Sequence, residues 1–435
     1  MNKFVKTGFF VLLCLSSVNG QVSFPKTNTW IKTNQPYFKL AVIEDGIHSV
    51  SKDDLKSIGV PVETIGNDRF QIFEHGKEIP INVTAESIEF YGERTKADID
   101  SLLYSIKEDH LVKYQTLYTD TAYYYLTYGS EKGKRFTPVT NTNTSGLETF
   151  DSYKKTEYRA FYDRFVIGSD EGKSTILPKY GKGEGWGNSG TIQEEFDISN
   201  LIPGSDVRVK TTVIGLNDRY PPFVQNGVNQ HYVIEYDNGG WQTLKDLYFK
   251  GRVAVPINEK LNSSSIGSST LKLKLYPSNN YEDMNRALRT FVAINELELS
   301  FQSSFSINSS DKVIIPLDTI FTTDQKIGIN NSNSKTLFIV DAENGFVYDY
   351  ATNGSSSTIR LKAATNPSKL IVQTTNSFTS ISPRRVQLRL IDYTTNPDFI
   401  ILSSKRFEQA VEQYASYRES IAGGNKTVKI AYIED

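Results

Sequence analysis

Cysteine is almost missing from this chain: Cys14 is the only one in 435 residues. It lies in a stretch that looks destined for removal. Lys3 and Lys6 precede the apolar run Phe9-Phe10-Val11-Leu12-Leu13-Cys14-Leu15, and small or polar residues then lead to Gly20 and Gln21. A charged start, a short apolar run and a small residue at the cut are the three parts of a secretory signal peptide, expected here over 1–20. A buried N-terminal strand is the alternative; the three-part pattern favours the signal peptide. Leu13, bulky and directly before Cys14, argues against lipid attachment at that cysteine. A mature chain without cysteine excludes disulfides, thiolate metal sites and a cysteine nucleophile.

Long apolar runs are also lacking. A membrane-spanning helix needs about 20 apolar residues; the run at 9–15 is too short, and no later stretch reaches that length. No transmembrane helix is therefore expected after the signal peptide. Charge of one sign is lacking as well, with 48 Lys and Arg against 50 Asp and Glu. No sequence-wide basic footprint exists, and no nucleic-acid partner is expected. Histidine is scarce: His48, His75, His110 and His231 are the four, and no two stand at metal-ligand spacing. Each has polar or turn-like neighbours, so they read as ordinary surface histidines. No G-x-S-x-G elbow is present. Hence no catalytic residue, no cofactor-binding residue and no metal ligand is assigned from the sequence.

What the chain has in quantity is aromatic residues, 25 Tyr and 24 Phe. That balance suits pleated, half-buried strands. At about 100–200 residues per domain the length allows two to four domains. Short apolar or alternating runs separated by turn residues begin at Tyr37: Phe38–Ile43 before Asp45-Gly46, Phe70–Phe73 before His75-Gly76, Ser87–Tyr91 before Gly92. Ser51–Ile58 reads as a short helix, capped by Ser51, favoured by Asp53 and Asp54 at its positive end and stopped by Gly59. Pro138–Ser145 reads as a linker. Val207–Val213, Tyr232–Tyr236, Leu271–Leu275 and Ile294–Phe301 read as strands of a second β-rich region, and Lys312–Ile320, Thr336–Asp341, Thr358–Ala363 and Lys369–Thr374 as strands of a third.

The last forty residues change character. Asp398–Leu402 is a short apolar strand. A helix follows from Ser403 or Ser404, with a stripe of Phe407, Ala410, Val411, Tyr414, Tyr417 and Ile421, and Gly423-Gly424 ends it. Thr427–Ile433 is a second strand. Strand, helix, strand is the opening of a parallel sheet. Because parallel sheets are larger and covered on both faces, the sequence reads as stopping before a catalytic α/β domain is complete. The alternative is a finished βαβ cap on the β-rich part.

Two glycine-rich stretches tempt a nucleotide reading. Gly185-Trp186-Gly187-Asn188-Ser189-Gly190 matches G-x-G-x-x-G, yet Thr191–Ile198 after it reads as a strand, where a phosphate-facing helix is needed. Trp186 reads as a loop aromatic, packed or facing a partner. Gly168–Ser174 approaches a P-loop but is one residue short and acidic. The carboxylates Glu194 and Glu195 are adjacent on an expected strand, so they face opposite ways and make a poor acid–base pair.

A resemblance enters on particular residues. Tyr37-Phe38-Lys39-Leu40-Ala41-Val42, Glu44-Asp45-Gly46-Ile47 and Asp53-Asp54-Leu55 resemble the opening of gingipain-type (caspase-like) cysteine peptidases, most of all the sortase of the type IX secretion system. Ile88-Glu89-Phe90-Tyr91-Gly92-Glu93, Leu117–Thr127 and Gly133-Lys134-Arg135 continue the likeness. Pro397-Asp398-Phe399-Ile400-Ile401, Phe407 and Tyr417-Arg418 resemble the entry into that family's peptidase domain.

The resemblance implies an exported protein at the outer membrane, cell surface or periplasm, with type IX secretion components and secreted substrate proteins as partners. The family's catalytic His and Cys stand at the ends of later strands, and no residue here corresponds to either. The expected architecture is mainly β: consecutive β-sandwich-like domains at 21–137, 146–301 and 311–392, then at 393–435 the opening βαβ unit of an α/β (caspase-like) domain. The alternative function is a stand-alone exported β-sandwich protein that binds glycans or peptides.

Overall fold

The computed structural model describes residues 29–169, 180–217, 228–278, 290–307, 311–317, 321–330, 332, 335–364, 366–388 and 396–433. The expected signal peptide with Cys14, residues 170–174 of the P-loop-like stretch, the strand end 318–320 and part of the turn at 330–334 lie outside the described residues. The fold is mostly β, as the aromatic, alternating sequence implies.

Two sheets face each other in the first region. One is five-stranded and antiparallel; in it Tyr37–Val42 lies beside Ala122–Tyr128, which in turn lies beside Phe70–Glu74. The other is built on Gly46–Ser51 paired with Ser87–Gly92. Phe38, Leu40, Phe70, Ile72, Tyr124 and Leu126 meet Val50, Ile88 and Phe90 in one core, the interdigitation of a β-sandwich. The expected helix is present at Lys52–Ser57. Ser51 Oγ accepts from the amides of Asp53 and Asp54, and Leu55 reaches the core. Gly59 takes φ +88° just beyond it, a value that suits glycine.

A second sandwich follows. Its outer sheet runs in the order Ile192–Asp197, Thr270–Pro277, Gln230–Asp237, Trp241–Phe249. The facing sheet runs Ala254–Asn262, Asp206–Gly215, Glu296–Ser304, Ser152–Ala160. Period-two alternation fixes which side chains point inward: Val207, Val209 and Val213 meet Leu271, Leu273 and Leu275. The third region pairs Lys312–Leu317, Ser368–Thr374, Leu337–Asp341 and Phe346–Tyr348 in one sheet, with Gln325–Ile329, Ser356–Leu361 and Tyr350–Asn353 in another.

Strand membership cuts across these stretches of sequence. Arg384–Val386 pairs antiparallel with Tyr37–Lys39, and Thr379–Ser380 pairs parallel with His48–Ser49. The start of the expected linker is also a strand: Thr137–Val139 adds in parallel to Phe346–Tyr348 as the last strand of that sheet. Pro138 lacks an amide donor, which an edge strand tolerates; the Thr, Asn and Ser residues that follow it are what read as a connection. Ile47, Tyr91 and Phe136 then pack with Val340 and Ile371, so the first and third regions share apolar contact.

Phe399–Ser403 and Val428–Tyr432 form a two-stranded parallel sheet, joined through the helix Glu408–Glu419. This matches the βαβ reading, with one difference in packing. The expected stripe of the helix does not turn inward as a unit: Phe407, Tyr414, Tyr417 and Ile421 are exposed and only Ala415 is buried. Too little sheet is present to cover so wide a stripe.

Candidate functional site

Polar and exposed groups that could carry chemistry gather at the joint between the first and third regions, at the histidines and glycine loop, and at the parallel pair at 399–432.

At the joint, the turn after Ser87–Gly92 presents Glu93. Tyr91 OH donates to Glu93 Oε1 at 2.8 Å, Lys96 Nζ lies 2.5 Å from Oε2, and Lys369 of the third region also pairs with Oε1. Lys96 reaches Asp45 Oδ2 at 3.0 Å as well. The Glu93 amide donates to the hydroxyl of Tyr124, which itself donates to Glu74 Oε1 at 2.7 Å. Burial acts to push the Glu93 pKa up; the charges and hydrogen bonds of Lys369 and Lys96 outweigh it and hold the carboxyl at about 2. Burial acts to lower Lys96, and Glu93 and Asp45 raise it on balance. Burial raises the Tyr91 and Tyr124 hydroxyls far above the ordinary range.

A cleft of about 640 Å³ opens beside this network, lined in part by Glu74, Lys77, Arg135 and Glu343. Glu93, one of the carboxylates that line it, is locked in the ionised state, too weak a base to take a proton near neutral pH. Phenols raised this far are poor acids. The network therefore works as an ionic bolt between two regions. Nothing in the sequence announced it, because Lys369 stands 276 positions from Glu93.

The histidines correct one expectation. His48, His110 and His231 are buried, where surface positions were expected. The strand Gly46–Ser51 has both faces covered, one by its own core and one by the third region, so a polar sequence context did not mean an exposed one. His48 Nε2 lies 3.1 Å from Glu44 O, and burial lowers its pKa. His110 packs on Tyr104, and burial pushes its pKa down to about 4. His231 Nε2 lies 2.6 Å from Asp246 Oδ1. His75 sits at a hairpin turn with φ +46°. Among the described residues, no cluster of three or more His, Cys, Asp or Glu could hold a metal.

Gly185–Gly187 is itself a short strand paired with Arg164–Val166, and Ile192–Asp197 after it is a strand. Among the described residues no helix follows this loop, so the dinucleotide reading has no support there. Trp186 is half-exposed; its ring meets Phe165 edge-on at 5.7 Å and its Nε1 donates to Leu117 O at 3.2 Å. Glu194 turns to Arg159 of the facing sheet and Glu195 to Lys272 on the outer side, the opposite orientations that alternation requires.

In the parallel pair, Phe399 is held under the helix by Tyr414, edge-on at 6.1 Å, and by the Arg418 guanidinium 4.7 Å from its ring centre. Ile400 and Leu402 point the other way and are 65% and 70% exposed. Among the described residues neither strand has a second neighbour. The sheet thus presents two unpaired edges and one bare apolar face.

No family model matches the chain, and no curated protein matches it. A solved structure does: that of dimeric latent PorU from Porphyromonas gingivalis, with a TM-score of 0.65 and 12% identity, over 92% of this chain and 37% of that one. The fold is PorU-like, and this chain spans just over a third of the length of that protein. The tandem CBM22 domains of a Paenibacillus barcinonensis protein align over 62% of this chain and 79% of theirs at 9% identity, with a TM-score of only 0.23.

Proposed function

We propose that this chain is the exported, non-catalytic front section of a gingipain-like, sortase-type cysteine peptidase linked to type IX secretion. In this reading the ranges 21–137, 146–301 and 311–392 act as the β-rich scaffold, and 393–435 is the first unit of the α/β peptidase domain. The scaffold holds that unit in place and meets secretion components or secreted substrates at the outer membrane, the cell surface or in the periplasm. The observation that carries the reading is the parallel pair Phe399–Ser403 and Val428–Tyr432. All-parallel sheets occur almost only where both faces are covered, and here, among the described residues, Ile400 and Leu402 lie bare beside two unpaired edges. Further strands and helices of an α/β domain are what such a surface accommodates. The PorU-like fold supports the same reading.

Removing the gene from the bacterium that encodes it tests the proposal. Type IX cargo should then fail to reach the cell surface in mature form, and re-expression should restore it. Normal cargo delivery in the deletion strain would overturn the assignment.

A further inference from the structure

We propose that the outer sheet of the second region carries a carbohydrate-binding platform built on Trp241, Tyr276 and Tyr248, a site independent of the secretion role. The register places these rings together. Gln230–Asp237 is the central strand. His231 pairs with Tyr248; Val233 pairs with Asp246 on one side and Tyr276 on the other; Glu235 pairs with Thr243 and Lys274; Asp237 pairs with Trp241. Directly paired residues share a face, and so do residues two apart along a strand. All of these side chains therefore lie on one face. The opposite face is the core, filled by Tyr232, Ile234, Leu273 and Leu275. At about 3.4 Å per residue the rows from Tyr248 to Trp241 extend over roughly 20 Å, a length that suits several sugar units.

The chemistry of the rows selects the ligand class. Trp241 is 41% and Tyr248 51% exposed. Lys274 Nζ lies 4.5 Å from the Tyr276 ring centre and 5.5 Å from that of Trp241, and it is 3.2 Å from Glu235 Oε2. Between the rings stand hydrogen-bonding groups of both kinds: the Lys274–Glu235 pair, the half-exposed Asp246 carboxylate, which also holds His231 beneath the Tyr248 ring, and Thr243. Aromatic faces flanked by donors and acceptors match a sugar, which offers C–H faces and a rim of hydroxyls.

Other occupants fit less well. An apolar ligand would strip water from paired charges without replacing their hydrogen bonds. The core of a protein interface is depleted of charge, whereas here ion pairs run through the middle. Lys274 and Lys272 are matched by Glu235 and Glu195, so no surplus of cations awaits a nucleic acid. Trp241 is also held for the task. Gly239 and Gly240 adopt φ +73° and +156° in the turn before it, and the Gly240 amide donates to Asp237 Oδ1 at 2.9 Å, which sets the first residue of the edge strand.

Affinity electrophoresis of the full chain in gels containing xylan, mixed-linkage β-glucan, galactomannan or pullulan tests the site. At least one polysaccharide should retard the protein. Trp241→Ala with Tyr276→Ala should weaken that retention ten-fold or more. Trp241→Phe keeps a ring and should retain most of it, so binding stays measurable if the alanine variant folds poorly. Trp186→Ala, on the glycine hairpin of the same region, should leave retention unchanged. Lack of retardation by every polysaccharide overturns the proposal. So does equal retention by the double alanine variant, or loss of binding in Trp186→Ala.

Discussion

Replacing Glu93 by Gln should unfasten the first region from the third while leaving their shapes intact. The amide keeps an acceptor for the Tyr91 hydroxyl and removes only the charge. Lys96 then retains Asp45, and Lys369 loses its carboxylate. The Glu93 side chain is 21% exposed, so solvent screens it little. Its pKa is held at about 2 against an ordinary 4.5. At about 1.36 kcal/mol for each tenfold step, the charged form stabilises the folded state by about 3 kcal/mol, near the usual cost of breaking a buried pair.

The folded pKa lies below the unfolded one, so this stabilisation is complete above about pH 4.5 and disappears as pH falls toward 2. Trp30 reports on the first region, since its ring packs on Tyr37, Phe73 and Tyr125. With Trp186→Phe and Trp241→Phe as background, Trp30 is the last of the three tryptophans. At pH 7, Glu93→Gln should lower the guanidinium midpoint seen by Trp30 by roughly 1 M. Near pH 2 the two proteins should coincide. An unchanged midpoint at pH 7, or a difference that persists at pH 2, would refute the reasoning.

Glu296 should behave in the opposite way. Its Oε2 accepts from the amides of Lys113 and Tyr114, yet burial raises its pKa above the usual range. A raised carboxyl favours folding below its unfolded pKa and loses that contribution as pH rises through the folded value. Glu296→Gln keeps the acceptor, so thermal unfolding at pH 7 should show it no less stable than the parent. Gly215→Ala should cost about 3 kcal/mol, because an added Cβ would overlap the Gly251 carbonyl, which is backbone and has little room to yield; denaturant unfolding measures it. Amides of 399–403 and 428–432 should exchange with deuterium far faster than those of 207–213, since two lone parallel strands have open edges. Equal protection would show a well-covered element and count against the scaffold reading.

The sequence made the local structure legible where one physical rule dominated. Alternation located Val207–Val213 and Leu271–Leu275, and Ser51 with Gly59 bracketed the short helix. Strands with mixed faces were missed. Ser152–Ala160 is polar and only partly buried along most of its length, Ala254–Asn262 contains Pro256, and Trp241–Phe249 carries its apolar residues on both sides of a bulge. The joint and the sugar platform were out of reach for another reason. Both depend on which strands lie side by side, as when Lys274 meets Trp241, and pairing between distant segments leaves no local trace. The burial of His48 has no sequence signal because a strand covered on both faces can carry a polar side chain inside; His231 is covered for a different reason, the Tyr248 ring stacked on it.

The pairing of Arg384–Val386 with Tyr37–Lys39 sets an order on assembly. The first sheet to be synthesised is completed by a strand made more than three hundred residues later. Until that strand arrives, Tyr37–Val42 has a neighbour on only one side, and the far side of Gly46–Ser51 is likewise unfilled until Thr379–Ser380 pairs with it. Contacts this remote in sequence slow folding and leave strand edges open to misassembly in the meantime. The front of the molecule is therefore sealed only after the third region has been made. A chain emerging from its amino end must keep those edges apart from other chains until the third region has followed.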